Sequence, residues 1–141
     1  MTELEILDIE SKKRYLKRYR KNRALIIRLK NKIEVLDERI KGLRSPSFSD
    51  MPRGGTPITK EDLIAEKDDI ERRIKRLEAK GKPIKREIED IIDELDDTRY
   101  AEVLEAFLIE CKSLSEIAED TNYSTRHVER IYREAINAVS L

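Results

Sequence analysis

The chain has 141 residues, with 38% hydrophobic and 43% charged side chains, 5% aromatics and no Trp. That charge load excludes one compact aromatic-rich globule and suits long, water-bathed helices. Thirty Lys and Arg balance thirty Asp and Glu, but the balance is an average over unlike segments.

A single cysteine, Cys111, excludes an internal disulfide scaffold and fits an intracellular setting. The start, Met1 to Glu5, is acidic and lacks an apolar run, so it does not read as a signal peptide. No stretch is apolar and long enough for a membrane span. The expectation is a cytoplasmic protein with no membrane contact.

In chain order, Tyr15, Tyr19, Asn22, Ile26, Leu29, Ile33, Leu36, Ile40 and Leu43 alternate steps of four and three. This heptad seam predicts a helix over about 10–43 that needs a partner. Tyr19, Asn22, Ile26, Leu29, Ile33, Leu36 and Ile40 are the candidate oligomerisation seam, with Asn22 a device for register. Arg44 to Thr59 holds three of the four prolines and two of the four glycines and reads as a flexible linker, 44–59. Thr59 and Asp62 form a cap pattern for a second helix over about 60–80, with Leu63, Ile70, Ile74 and Leu77 as its stripe and Lys67 in the remaining heptad slot. An antiparallel hairpin within the chain and a parallel pair between two chains both satisfy this pattern. Gly81-Lys82-Pro83 reads as a weaker break, with Pro83 opening a third helix to Leu95 that carries Ile84, Ile88 and Ile91. A fourth helix, Arg99 to Glu110, presents Tyr100, Val103, Leu104, Phe107 and Leu108. No strand-like alternation occurs. The expected class is all-α: long N-terminal coiled-coil helices over 1–82, then a small helical domain over 83–141.

The last segment carries the functional signal. Ser113 and Glu116 form a capping box for a short helix with Leu114, Ile117 and Ala118. Asn122 tolerates the left-handed backbone of a tight turn, and Ser124 can cap the next helix. Tyr123, Val128 and Ile131 then supply its apolar contacts. This is the spacing of a helix-turn-helix whose second member protrudes. Its outward face is Ser124, Thr125, Arg126, His127, Arg130 and Arg133. From Asp96 onward there are ten acidic residues and five basic ones, and three of the five lie on this helix. Arginine there can contact phosphate or make bidentate contacts to guanine. Double-stranded DNA is the expected partner.

Leu114 to Ile136 resembles the helix-turn-helix of sigma factor region 4. With the linker phrase Ser45 to Gly55, the chain resembles phage-encoded regulators of the RinA/ArpU type, over about 45–57 and 84–141. The resemblance implies DNA binding and control of phage late genes or of another mobile-element operon. One departure is Asn122, where such motifs often have Gly.

Eleven basic residues from Lys12 to Lys32 occur without an intervening acid. Lys12, Lys13, Arg14, Lys17, Arg18, Arg20 and Lys21 are candidate phosphate contacts. They could equally pair with an acidic protein, such as a host RNA polymerase subunit, or face solvent.

Enzymatic readings find no foothold. His127 is the only histidine, no Cys/His cluster suggests a metal, and Gly54-Gly55 alone is no phosphate loop. The acidic run Glu87–Asp97 lacks the glycine-containing loop of a calcium site, and Cys111 reads as a packing residue. No cofactor is expected. The readings left are a DNA-binding regulator acting as a homo-oligomer, a DNA-packaging factor resembling a small terminase subunit, and a coiled-coil adaptor binding RNA polymerase.

Overall fold

The computed structural model describes residues 2–44 and 58–141; the predicted linker falls almost wholly outside the described residues. Those residues form α1 (Glu3–Leu16), α2 (Arg18–Arg44), α3 (Lys60–Asp93), α4 (Thr98–Leu104) continuing as a π-turn (Glu105–Ile109), α5 (Leu114–Thr121) and α6 (Thr125–Ala138). The protein is all-α, with no strand among the described residues.

Local caps account for most helix starts. Thr2 accepts from the Glu5 amide and Glu5 accepts from the Thr2 amide, both at 3.2 Å. Thr59 and Asp62 exchange the same reciprocal pair, both at 3.2 Å. Asp97 accepts from the Arg99 amide at 2.9 Å and opens α4. Each satisfies amides that lack an intrahelical partner.

Two predicted boundaries are corrected. The helix expected over 10–43 starts at Glu3 and is interrupted at Lys17. The helices expected over 60–80 and 83–95 are one, because Gly81-Lys82-Pro83 does not stop α3. Gly81 is buried there, and a Cβ on it would lie 2.5 Å from Asn22 Oδ1. The glycine is thus a close-approach residue for α2, not a break. Pro83 is exposed and lacks an N–H, so it leaves the Ala79 carbonyl without its helical partner. The gain that outweighs this cost is burial of Ile88 and Ile92 just beyond it, each worth about 1.5–3 kcal/mol.

By contact the chain divides into Met1–Arg23 with Lys80–Leu141, and Ala24–Ala79. This differs from the expected division at residue 82, since α1 and the start of α2 join the C-terminal unit.

Ala24–Ala79 is an antiparallel helical hairpin. Ile26 and Leu29 pack against Ile74, while Leu36 and Ile40 pack against Leu63, with Ile33, Ile70 and Leu77 partly buried beside them. The seam assigned to pairing between chains is therefore filled by α3 of the same chain over Ile26 to Ile40. Tyr19 and Asn22 leave it altogether and belong to the other unit. Lys67, in its heptad slot, reaches Asp37 at 2.7 Å; that hydrogen bond holds its ammonium above the ordinary lysine range.

The C-terminal unit has one core, in which Leu16, Ile88, Leu104, Leu108, Ile117, Val128, Ile131 and Ile136 are almost fully buried. Phe107 and Tyr132 meet edge to face at 4.8 Å within it. The Tyr132 hydroxyl is buried with no hydrogen-bond partner among the described residues. Burial pushes this phenol up to about 12. Its folded-state pKa thus lies above its unfolded value, so its contribution to stability is intact below about pH 10 and is lost between about pH 10 and 12. Tyr132→Phe is expected to leave neutral-pH stability unchanged or raise it by about 1 kcal/mol, since an unsatisfied buried hydroxyl is removed. It should also blunt the alkaline loss of stability. Urea unfolding at pH 7.5 and pH 11 tests both; a variant that is weaker at pH 7.5 would show that the hydroxyl has a partner.

Candidate nucleic-acid interface

The helix-turn-helix forms from the local signals in its sequence. Ser113 accepts from the Glu116 amide at 3.1 Å and starts α5. Ile117 and Ala118 point into the core. Asn122 ends α5 in the left-handed region (φ 61°, ψ 22°), and the Tyr123 amide bonds back to the Ala118 carbonyl at 3.2 Å. Ser124 then accepts from the His127 amide at 3.1 Å and starts α6. Val128, Ile131, Tyr132, Ala135 and Ile136 fix the inner face of α6.

The outer face carries the predicted residues. Ser124, Thr125, Arg126, Arg130 and Arg133 are exposed and His127 is half-buried. Ser124, Arg126, His127, Arg130 and Arg133 line one open concavity. Arg130 donates to His127 Nδ1 at 2.9 Å. A guanidinium has no acceptor, so the ring proton sits on Nε2, which is left as a donor. Tyr123 packs edge-on against His127 at 4.8 Å and is 40% exposed. The inward contact expected of Tyr123 is corrected to this support of His127.

Charge separates this face from the rest of the acidic segment that begins at Asp96. Lys112 pairs with Asp120 and Glu110, and Arg99 with Asp97. Among the described residues, no carboxylate lies within ion-pair distance of Arg126, Arg130 or Arg133. Glu129 lies one turn from both Arg126 and Arg133 without pairing with either, and Glu134 accepts from the Tyr100 hydroxyl at 3.1 Å. That bond raises the Tyr100 phenol.

The basic residues of the first helices fare differently. Lys12 pairs with Asp8 and reaches the Asn137 carbonyl at 3.4 Å. Lys13 pairs with Glu10. Lys17 lies 5.8 Å from the centre of the Phe107 ring. Arg18 donates to Glu87 at 2.7 Å and stacks on Tyr15. Arg20 donates to the carbonyls of Phe107 and Lys112 at 3.0 and 3.2 Å, with its guanidinium 4.1 Å from the Phe107 ring centre. Arg20 is therefore a structural clamp and is withdrawn from the phosphate-contact set. Arg14 and Lys21 remain exposed.

The clamp holds a feature that sequence reasoning missed. After the π-turn, Cys111 takes a positive φ of 61°, and the Lys112 amide bonds to the Ala106 carbonyl at 3.0 Å. No Gly or Asn marks that left-handed position, so no local signal could have found it. Burial pushes the half-buried Cys111 thiol up.

Comparison with known families gives one match. The family described as "Protein of unknown function (DUF1492)" matches residues 42–140. The chain belongs to this family. The DUF1492 match takes in α3 to α6, hence the whole outer face Ser124 to Arg133; the basic segment Lys12–Lys21 lies outside it. No curated protein and no solved structure matches the chain. Among the described residues no helix is long and apolar enough to cross a membrane.

Proposed function

We propose that this protein is a sequence-specific DNA-binding regulator of transcription, acting on phage or mobile-element genes, with α6 as the element that enters the major groove. The observation that carries the reading is the outer face of α6. Among the described residues Arg126, Arg130 and Arg133 stand exposed and without carboxylate partners, whereas the other two basic residues from Asp96 onward, Arg99 and Lys112, are ion-paired. Exposed arginines on the protruding helix of a helix-turn-helix suit bidentate recognition of guanine O6 and N7. The resemblance of Leu114 to Ile136 to sigma region 4 supports the same placement, and that of the wider chain to RinA/ArpU-type regulators supports the gene class. A cytoplasmic location and contact with host RNA polymerase belong to this reading. Association of copies, which a palindromic operator would need, has to use a surface other than the hairpin seam.

The test is a gel shift with fragments from the DNA flanking the protein's own gene. A discrete complex that resists excess unlabelled random duplex is expected. If random duplex competes as well as the flanking fragments do, the assignment of sequence specificity fails.

A further inference from the structure

The hairpin Ala24–Ala79 carries its own charge asymmetry, and it lies outside the helix-turn-helix. Along one flank of α2, Arg28, Lys32 and Arg39 are exposed and share a groove with Val35 and Glu66 of α3. They recur at i, i+4 and i+11, so they form one row, with axial steps of about 6 Å and then about 10 Å. Arg73 follows Glu66 by two helical turns and is also exposed. Among the described residues, none of these four has a carboxylate within ion-pair distance. Elsewhere on the hairpin Lys60, Lys75 and Arg76 are also without an ion pair among the described residues, but they do not line this groove, and four others are paired. Lys30 pairs with Glu78, Lys41 with Glu38, Lys67 with Asp37, and Arg72 with Asp69.

We infer that this flank is a second DNA contact, one that binds the phosphate backbone without reading sequence. It rests on the DNA-binding reading of the chain. A row of three cations along α2, two of them guanidiniums, suits phosphates strung along a strand, and Arg73 adds a further guanidinium from α3. A protein partner would need an apolar anchor, and the groove offers chiefly Val35.

The experiment is fluorescence anisotropy of a labelled mixed-sequence 30-bp duplex, titrated with full-length protein across a potassium chloride series. Each phosphate contact adds about 0.9 to the slope of log affinity against log salt. The triple variant R28Q/K32Q/R39Q is expected to lower that slope by about 2 to 3. At 0.1 M salt it is expected to bind on the order of a hundredfold more weakly. The charge-matched triple K30Q/K41Q/K75Q, at exposed sites off this flank, should retain the wild-type slope. Circular dichroism melts confirm that both variants fold; if R28Q/K32Q/R39Q does not, Arg73→Gln is expected to lower the slope by about 1. An unchanged slope in R28Q/K32Q/R39Q, or an equal drop in both triples, overturns the inference. If that slope is unchanged while Arg126/Arg130 variants lose sequence preference, the helix-turn-helix reading survives and this one does not. Wild-type protein that binds no duplex overturns both. Loss of polymerase pull-down in R28Q/K32Q/R39Q, with DNA binding intact, would assign the flank to an acidic protein instead.

Discussion

Replacing Arg126 and Arg130 together with alanine is expected to weaken binding to a specific duplex by about two to four orders of magnitude. Each bidentate arginine–guanine contact is worth about 1–3 kcal/mol of discrimination, and about 1.4 kcal/mol is a factor of ten. The same double variant should bind scrambled duplex only modestly more weakly, because the loss concerns base reading more than phosphate attraction. Its folding stability should stay within about 0.5 kcal/mol of wild type. Both side chains are exposed, neither has a carboxylate partner among the described residues, and alanine favours the helix. Among the described residues, the hydrogen bond lost is the surface one from Arg130 to His127. Parallel anisotropy titrations with specific and scrambled duplex, beside a thermal melt, separate the two effects. Equal loss on both duplexes would move these arginines from base reading to backbone contact.

The second large effect is on folding. Arg20→Ala should destabilise the C-terminal unit by about 2–4 kcal/mol. The guanidinium caps the Phe107 and Lys112 carbonyls and lies over the Phe107 ring. Hydrogen bonds involving a charged group are worth about 1.5–3 kcal/mol each, and a cation over an aromatic face adds about 0.5–2 kcal/mol. The gross sum exceeds the prediction because water can reach a part-buried site and restore some of the hydrogen bonding. Arg20→Lys should recover part of the loss, since both carbonyls are bonded by one guanidinium nitrogen, which an ammonium can replace, while the planar stacking over the Phe107 ring is lost. The clamped segment leads from the π-turn into α5, so DNA binding should weaken through unfolding and recover on cooling. Urea unfolding measures this directly; a loss below about 1 kcal/mol would show that Arg20 only decorates the turn.

Arg126, Arg130 and Arg20 differ in how far sequence alone places them. The helix-turn-helix geometry and the outer face of α6 are legible because their determinants are local. Ser113, Asn122 and Ser124 each act within four residues of the backbone groups they serve, and the arginines of α6 share a face by helical period alone. Sequence alone offers Arg20 as one more phosphate contact, because its carbonyl partners lie 87 and 92 residues away. The seam was legible as a seam, but spacing does not say what covers it. Tyr19 and Asn22 continue the heptads of Ile26 and Leu29 without a break, yet they belong to a different unit. Gly81 and Pro83 read as a stop, yet α3 runs through them, because a local stop signal costs only a few kcal/mol. Burial of Ile88 and Ile92 and the approach of Asn22 outweigh it. The π-turn left no trace at all, since Glu105 to Ile109 has the composition of an ordinary helix.

The central claim is that α6 reads bases in the major groove, and methylation protection tests it most directly. Dimethyl sulfate attacks guanine N7 in that groove, the atom a bidentate arginine would cover. On the fragment bound best from the DNA around the protein's own gene, the account predicts a few guanines protected at fixed positions. That protection should vanish with Arg126→Ala and Arg130→Ala. Binding that leaves every guanine N7 as reactive as in free DNA would contradict it.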